Sequence, residues 1–360
     1  MTGQRALDET GGLLAQDERL SKARCAIIGG GLAGASLAQL LKAHGVGQVT
    51  LIDKGRALGG RLSARHLEGH CYELGATRIS PEPGAWIEGI ISRFKGAGLS
   101  YEAREAMELS RPGELSVMGR CLRGGLEQLV TLQAQLADRI ERSARVLRAQ
   151  REGREWWLFG EQYLADSSGL MRSQEQSWGP FDQLTISAPS PQAAQLLFPH
   201  RPDWARAALK VRYKPQWLLC ARFEEPLVAL PDSLPTRGVI SSLREALPIE
   251  GDGARGHAWV IKADPLWTEE RLECRAEEIS AQLLEALSSL YEAPLPSATV
   301  VKVHRWRYAS PLVETEQPIG PLYDASLKLS ICGDWTLGGH GGWAYESAAR
   351  LSSQLLESLI

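Results

Sequence analysis

A glycine-rich turn between an apolar run and a helical segment constrains the fold of this chain more than any other feature. Residues 25–28 are apolar and stop at Gly29, as a buried parallel strand does. Helical spacing follows and is predicted to end near His44 and Gly45, where glycine suits a left-handed cap. The turn satisfies G-x-G-x-x-G, whose glycines give a tight turn, close approach of backbone to a diphosphate, and close helix packing. The motif comprises Gly29, Gly31, Leu32, Ala33 and Gly34.

A second apolar run, over residues 49–52, ends at Asp53. In nucleotide-binding folds, a carboxylate about 20 residues beyond the glycines accepts hydrogen bonds from both hydroxyls of an adenosine ribose. Strand, turn, helix and strand in this order predict one βαβ unit with a right-handed crossover. We therefore expect a dinucleotide to bind with its phosphates at the helix N-terminus. The alternative is a glycine-rich turn with a purely structural function.

The rest of the chain predicts an α/β fold of two lobes: a Rossmann-type binding lobe, and a second lobe built on a mixed sheet. Helical periodicity is expected over residues 126–137, 191–197, 275–291 and 344–360. Strands are expected within 146–159, as two short strands around a turn, and over 181–188, 216–222, 257–263 and 327–332. We expect the binding lobe to be discontinuous (25–80, 120–190 and 305–360), the second lobe to comprise 81–119 and 191–304, and 1–24 to be a tail or docking arm.

Composition argues against several classes of protein. The 360 residues are 44% apolar and 23% charged, which is typical of a globular protein. A net charge of −3 gives no electrostatic reason to expect nucleic acid or an anionic membrane as partner. The six cysteines are scattered without a C-x-x-C pair, so we predict reduced thiols and no metal site. No apolar run reaches about 18 residues and the polar N-terminus lacks the apolar core of a signal peptide, so we expect a cytoplasmic protein.

The segment after Asp53 distinguishes FAD from NAD as the cofactor. It runs from Lys54 to Arg61 and includes the pair Gly59 and Gly60. It resembles the second fingerprint of the amine-oxidase-like flavoproteins, which include monoamine oxidases, phytoene desaturases and renalases. Paired glycines let backbone lie close to a cofactor, and an arginine can neutralise a diphosphate. The resemblance implies FAD, with Lys54, Gly60 and Arg61 among the residues that bind it.

Three further segments extend this resemblance. Residues 72–76 resemble the acidic-x-Gly-Ala segment that places backbone against the isoalloxazine in this family, which implies contacts from Gly75, Ala76, Thr77 and Arg78. Gly333 and Asp334 resemble the Gly-Asp pair that binds the ribityl chain. The helix that begins around Trp343 and Ala344 would then direct its positive end at the flavin pyrimidine, which favours the anionic reduced flavin. The resemblance also implies a cofactor contact from Val146.

Several segments outside the cofactor motifs resemble the renalase-like branch of this family. They are residues 188–197, 214–217, 223–226, 259–267 and 304–311. The branch oxidises dihydronicotinamide dinucleotides: hydride passes to flavin N5, the oxidised dinucleotide leaves, and dioxygen reoxidises the flavin to give hydrogen peroxide. The resemblance therefore implies a small flat donor as substrate and dioxygen as acceptor.

The chain departs from the renalase-like pattern where substrate would stack on the flavin. Residues 77–79 replace the usual glutamine, tyrosine and aromatic residue, residues 340–344 replace a segment with arginine and Val-Glu, and 121–125 replace Pro-Gly-Met. Hydride transfer needs positioning more than a strong acid or base, so no catalytic side chain is assigned. The candidate pocket residues are Arg78, Trp217, Trp306, Tyr308 and His340. A core position for each tryptophan and a loop position for the histidine are the alternatives.

The altered substrate-facing residues leave two other functions open. The cofactor fingerprints are shared across the family, so an FAD-dependent amine or amino-acid oxidase is the first alternative, with Arg78 pairing to a substrate carboxylate. A flavin-bearing binding protein without turnover is the second. All three functions require FAD.

Overall fold

The computed structural model describes residues 18–77, 89–90, 93–94, 101–102, 108–111, 121–122, 125–165, 170–249, 251, 253–313 and 318–359. The strands are β1 (Arg24–Ile28), β2 (Gln48–Ile52), β3 (Ala64–Leu67), β4 (His70–Glu73), β5 (Tyr101–Glu102), β6 (Glu108–Ser110), β7 (Cys121–Leu122), β8 (Arg139–Glu141), β9 (Ala144–Glu152), β10 (Glu155–Ala165), β11 (Met171–Phe181), β12 (Gln183–Ile186), β13 (Arg212–Phe223), β14 (Ile240–Glu245), β15 (Leu247–Pro248), β16 (His257–Ala263), β17 (Ala298–Leu312), β18 (Leu322–Asp324) and β19 (Leu329–Ile331). The helices are α1 (Leu32–Ala43), α2 (Glu127–Ala134), α3 (Ser190–Leu197), α4 (Pro202–Lys210), α5 (Pro265–Glu270), α6 (Ala276–Leu290) and α7 (Gly341–Leu359).

The first lobe is built on a six-stranded sheet in the order β18-β19-β12-β1-β2-β8. All neighbours are parallel except β18, which pairs antiparallel with β19. Both faces of this sheet are covered, so its central strands are apolar without alternation. Ile27 and Leu51 pack with α1, α2 and α7 on one face, whereas Ala26 and Ile186 pack on the other face. The βαβ unit and the α/β fold class predicted from the sequence are confirmed.

A three-stranded antiparallel sheet covers the second face of the parallel sheet, in the order β11-β10-β9. Trp156 of β10 is fully buried there, and its indole N–H donates to the carbonyl of Leu327 over 2.9 Å. The sequence predicted two short strands in this region. The strands are longer, and β11 was missed, because its exposed polar residues give no apolar run.

The second lobe is a five-stranded sheet in the order β17-β13-β16-β14-β6. Helix α6 packs on one face through Ile279, Leu283 and Leu287, which are fully buried. The opposite face packs against the sheet formed by β15, β4 and β3, where Tyr72 and Leu74 meet Leu218. The predicted second sheet is present, but the prediction that it is mixed is wrong: all of its described pairings are antiparallel.

Three predicted boundaries differ from the structure. Arg24, placed at the end of the tail, begins β1 and pairs with Asp182 at 2.7 Å, and Leu20 is buried in the first-lobe core. The boundary at 190/191 lies inside α3, which packs on the first lobe, and the boundary at 304/305 lies inside β17. The polar composition of residues 1–24 gave no sign that Leu20 is buried. The other two boundaries fall within continuous elements, where the composition does not change.

None of the helices in the described ranges combines the length and apolarity needed to cross a membrane.

Burial in the parallel sheet gives a direct stability test. Leu51 of β2 is fully buried between the helices and the sheet, so Leu51→Ala removes methyl groups that the surroundings cannot replace. We expect the free energy of unfolding to fall by about 3 kcal/mol in urea denaturation. Val228→Ala is the control, because Val228 is 81% exposed and its truncation should change stability by less than about 0.5 kcal/mol. Equal effects of the two substitutions would contradict the described core.

Candidate functional site

The first glycine turn has the backbone geometry that its sequence pattern requires. Gly29 follows β1 with a φ of +117°, and its N–H donates to the carbonyl of Ile52 over 2.8 Å. A Cβ atom at Gly34 would lie 1.9 Å from the carbonyl oxygen of Gly29, so only glycine lets α1 begin this close to the turn. The turn therefore brings the first amides of α1, at Leu32 and Ala33, directly to the end of β1.

The second glycine segment meets the first through the backbone. Gly31 and Gly59 form an isolated parallel bridge, and the N–H of Gly59 donates to the carbonyl of Gly30 over 3.0 Å. A Cβ at Gly60 would lie 3.1 Å from the Cα of Gly31, so a side chain at position 60 would crowd the first segment. We call this surface, formed by Gly31, Gly59, Gly60 and the first turn of α1, the glycine seat.

The glycine seat is suited to an anion. No side chain of the described residues caps the N-terminus of α1, and its first turn has no acidic residue. The amides that begin a helix have no partner within it and carry partial positive charge. A Cβ at Gly31 would meet only the Cα of Gly60, at 4.0 Å, so the space before the helix is open. These features fit a diphosphate held by backbone N–H groups.

Asp53 lies at the end of β2, as predicted. One carboxylate oxygen accepts the N–H of Gly30 and the other accepts the N–H of Gly55, both over 2.6 Å. Burial raises the pKa of this carboxyl, although the two N–H donors oppose the shift. A carboxylate has further lone pairs for ribose hydroxyls. The sequence did not indicate that Asp53 also joins the loops of Gly30 and Gly55. Through these hydrogen bonds, Asp53 fixes the turn that precedes the seat.

Two other residues that were predicted to bind the cofactor, Lys54 and Val146, lie near the end of β2. Lys54 is exposed, next to Asp53. Val146 is half-buried on β9, which begins beside the same loop because the N–H of Ala144 donates to the carbonyl of Asp53 over 2.9 Å. Both residues thus lie near Asp53. Their contacts with a cofactor remain predictions.

The two cofactor motifs from opposite ends of the chain are joined by an ion pair. The guanidinium of Arg61 contacts the carboxylate of Asp334 at 2.5 Å, and the Asp334 side chain is almost fully buried. The sequence assigned Arg61 to a diphosphate and Asp334 to a ribityl chain, as separate contacts. Their pairing could not be predicted, because 273 residues separate them and no local pattern connects them.

The loop around Asp334 leads into α7. The N–H of Gly333 donates to the hydroxyl of Ser347 on α7 over 3.0 Å, which ties the loop to the helix. The helix begins at Gly341, three residues before the predicted Ala344, and Trp343 packs its indole over Gly338. His340 is exposed, and its ring lies 5.9 Å from that of Trp343. The aromatic residue of this segment therefore contacts the chain's own loop.

The segment that carries Gly75 and Ala76 lies between the two lobes. The N–H of Ala76 donates to the carbonyl of Arg61 over 2.8 Å, and a Cβ at Gly75 would lie 1.8 Å from the same oxygen. Lys262 of β16 donates to the carbonyl of Gly75 over 2.9 Å. Thr77 lines a small cavity between β4 and the second sheet, and Arg78 lies outside the described residues.

The predicted aromatic pocket is divided between two faces of the second sheet. Trp306 and Tyr308 of β17 are half-buried on the face toward the first lobe. The indole N–H of Trp306 donates to the carbonyl of Leu74 over 2.8 Å. The Tyr308 ring lies 5.2 Å from the ring of Tyr213. Trp217 was predicted to line the same pocket, and this prediction is wrong. Its indole packs in the core beneath α6 and donates to the carbonyl of Arg271 over 3.0 Å. Alternation along β13 directs it away from the first lobe.

Two residues of the inter-lobe surface were missed by sequence reasoning. Arg244 of β14 pairs with Glu73 at 3.0 Å, and Lys262 reaches Gly75. A lysine within the apolar run of β16 was a usable signal, because a buried cation needs a specific partner. The strand β14 was not predicted, so its arginine could not be placed.

Among the residues described, no cluster of three histidine, cysteine, aspartate or glutamate side chains could hold a metal ion.

Comparison with known proteins agrees with this architecture. Residues 27–94 match the model of the NAD(P)-binding Rossmann-like domain family. Solved structures with the same fold include putrescine oxidase bound to putrescine (TM-score 0.65, 12% identity) and a CLA-producing fatty acid isomerase from P. acnes (TM-score 0.62, 13% identity). An oxidoreductase from Methanosarcina mazei is similar at a TM-score of 0.58 and 14% identity. These matches cover 93%, 93% and 91% of this chain and 99% of each relative.

The likeness spans both lobes, so the chain has the whole two-lobe fold of these proteins and not a Rossmann-like domain alone. At these identities the likeness shows the fold.

The buried histidine of β17 gives a pH-dependent prediction. Burial, together with the positive charges of Lys302 and Arg65, lowers the pKa of His304 to about 4. In the unfolded chain His304 binds a proton near pH 6.5, whereas in the folded chain it stays neutral down to about pH 4. The free energy of unfolding should therefore fall as the pH drops from about 6.5 to 4. The loss reaches at most about 3 kcal/mol. Urea midpoints across this range should fall less steeply for His304→Gln, and parallel curves would contradict the assignment.

Proposed function

We propose that this chain is an FAD-dependent oxidoreductase that holds the cofactor at the glycine seat. The observation that carries the proposal is the backbone contact of Gly31 with Gly60 in front of an uncapped helix N-terminus. A diphosphate needs close backbone approach and amide donors, and both are available there. The Gly59–Gly60–Arg61 segment and the fold shared with putrescine oxidase support FAD over a simple nicotinamide cofactor.

Each end of the cofactor has residues suited to it. Asp53 would accept hydrogen bonds from ribose hydroxyls while it keeps the turn in place. The first amides of α1 would hold the diphosphate, and Arg61 would contribute its charge beside them. Asp334 has the position and chemistry to accept hydroxyls of the ribityl chain and already orients Arg61. Gly75, Ala76 and Thr77 would border the ring.

The second lobe would cover the reacting end of the cofactor and exclude water from it. FAD, when bound, supplies a ring system that accepts a hydride from an organic donor. Trp306 and Tyr308 present half-buried aromatic surface from β17 toward the first lobe, which suits a flat substrate. Lys262 holds the carbonyl of Gly75 and lines the small cavity beside Thr77. These residues position a donor; none of them is required to move a proton.

For the substrate we propose a renalase-like reaction on a dihydronicotinamide-type donor. The donor loses a hydride and leaves as the oxidised nicotinamide, and dioxygen takes up the two electrons and the proton of that hydride, with a second proton from water, as hydrogen peroxide. Support comes from the renalase-like segments, which include residues 259–267 and 304–311. The first of these segments begins on β16 and continues into α5, and the second lies on β17; the two strands carry Lys262, Trp306 and Tyr308.

A second candidate is an FAD-dependent amine oxidase. The solved structure of putrescine oxidase bound to putrescine shares the fold over 93% of this chain, which favours this candidate.

An anaerobic donor screen distinguishes these functions. FAD-loaded protein is mixed without oxygen with dihydronicotinamide isomers, with putrescine and other amines, and with amino acids, and bleaching of the visible flavin bands is followed. Bleaching by dihydronicotinamides supports the leading proposal, and bleaching by amines alone supports the second. No bleaching by any donor would favour a flavin-bearing binding protein and contradict both enzymatic proposals.

A single methyl group at the glycine seat should separate cofactor binding from folding. In Gly31→Ala the new Cβ would lie 4.0 Å from the Cα of Gly60, a van der Waals contact that the FAD-free protein accommodates. We expect unchanged stability of the FAD-free protein but an FAD Kd raised about tenfold or more, because the methyl group occupies space needed by the diphosphate.

The matched control for this prediction is Gly238→Ala. A Cβ at Gly238 meets no atom within 4 Å, so neither stability nor FAD affinity should change. Isothermal titration with FAD, together with urea denaturation, measures both quantities for both variants. Wild-type FAD affinity in Gly31→Ala would place the diphosphate elsewhere.

A further inference from the structure

Residues 73–76 form a strip between the lobes, and its first edge is bonded to the glycine-seat segment. The N–H groups of Leu74 and Gly75 donate to the carbonyl of Ser63 over 3.0 and 3.2 Å. The N–H of Ala76 donates to the carbonyl of Arg61 over 2.8 Å. Consecutive amides of the strip thus all point at the segment that carries Arg61.

The opposite edge of the strip is bonded to three different strands of the second sheet. Arg244 of β14 contacts Glu73 at 3.0 Å. Trp306 of β17 donates to the carbonyl of Leu74 over 2.8 Å, and Lys262 of β16 donates to the carbonyl of Gly75 over 2.9 Å. The second lobe therefore fixes three consecutive residues that lead directly to Ala76.

The Arg244–Glu73 pair is almost inaccessible to solvent. The Arg244 side chain is 6% exposed and that of Glu73 is 11% exposed. Removal of one partner from a buried ion pair leaves the other charge unpaired, whereas replacement of both by neutral groups is often tolerated. This asymmetry allows the contribution of the pair to the stability of the fold to be separated from its effect on the position of residues 73–76.

We infer that Arg244, acting through Glu73, is a positioning residue that sets the location of Gly75 and Ala76 relative to the glycine seat. The inference rests on the proposed function, in which FAD lies between the seat and these residues. Arg244 pairs with Glu73 of the strip and lines the same small cavity as Thr77. Loss of Arg244 should weaken FAD binding and change the environment of the flavin ring.

A second ion pair between the same two units provides a matched control. Arg222 of β13 contacts Glu68, in the turn between β3 and β4, at 2.9 Å. This pair also joins the second sheet to the β3–β4 hairpin, but at the end remote from the strip. The side chain of Arg222 is 29% exposed and that of Glu68 is 43% exposed. Arg222→Met removes the same functional group as Arg244→Met without releasing residues 73–76.

The test compares wild type, Arg244→Met, the double variant Glu73→Gln/Arg244→Met, and Arg222→Met. For each protein, the FAD Kd and the visible spectrum of bound FAD are measured, and the urea midpoint is measured without FAD. We expect Arg244→Met to raise the Kd about tenfold and to shift the flavin absorption bands. Arg222→Met should keep the wild-type Kd and spectrum.

The double variant decides between positioning and a merely structural function. We expect it to recover the urea midpoint, since both buried charges are replaced by neutral groups, while its Kd and spectrum stay altered. Recovery of all three quantities, or a wild-type Kd and spectrum in Arg244→Met, would overturn the inference. If Arg244→Met does not fold, the double variant alone gives the answer. Failure of wild type to bind FAD would overturn the proposed function, and this inference with it, and is recognised before any variant is compared.

Discussion

Close backbone contact between two glycine segments is the constraint on which the rest of the site depends. Gly31 is the residue before α1, Gly60 follows a turn beyond β2, and a Cβ at Gly60 would lie only 3.1 Å from the Cα of Gly31. The contact holds the amide end of α1 open and places Arg61 beside it. Asp53 fixes both loops through the amides of Gly30 and Gly55, so one carboxylate maintains the geometry of both segments. The fit of the seat to an anion is thus a property of the backbone, and it depends on glycines at the close contacts.

The chain's two ends and its two lobes meet at Arg61. Its side chain pairs with Asp334, which follows the last strand of the parallel sheet, and its carbonyl accepts the amide of Ala76. Through residues 73–76, the same short segment is connected to β14, β16 and β17 of the second sheet. A cofactor that occupies the seat would therefore contact elements whose positions are set jointly by both lobes. This arrangement explains why a binding motif near the N-terminus needs the whole chain to complete its site.

The sequence predicted those parts of the structure that local chemistry determines. The βαβ unit was predicted because β1 and β2 are mostly apolar and the glycine spacing between them is specific. The Arg61–Asp334 pair was beyond prediction, because it depends on tertiary contact between distant segments. Trp217 was assigned to the wrong face because alternation fixes a face only once the register is known, and one residue of slip reverses it. The polar strand β11 and the strand β14, with Arg244, gave too little apolar pattern to be recognised.

The most direct test of the account is a comparative titration of the purified protein with FAD, FMN and NAD+, followed by calorimetry. FMN carries the flavin ring without the diphosphate linkage or the adenosine, and NAD+ carries the diphosphate without the flavin. Because the account assigns affinity jointly to the seat, Asp53 and the inter-lobe surface, it predicts one tight site for FAD and much weaker binding of FMN and NAD+. Equal affinity for FMN and FAD, or binding of NAD+ alone, would contradict it.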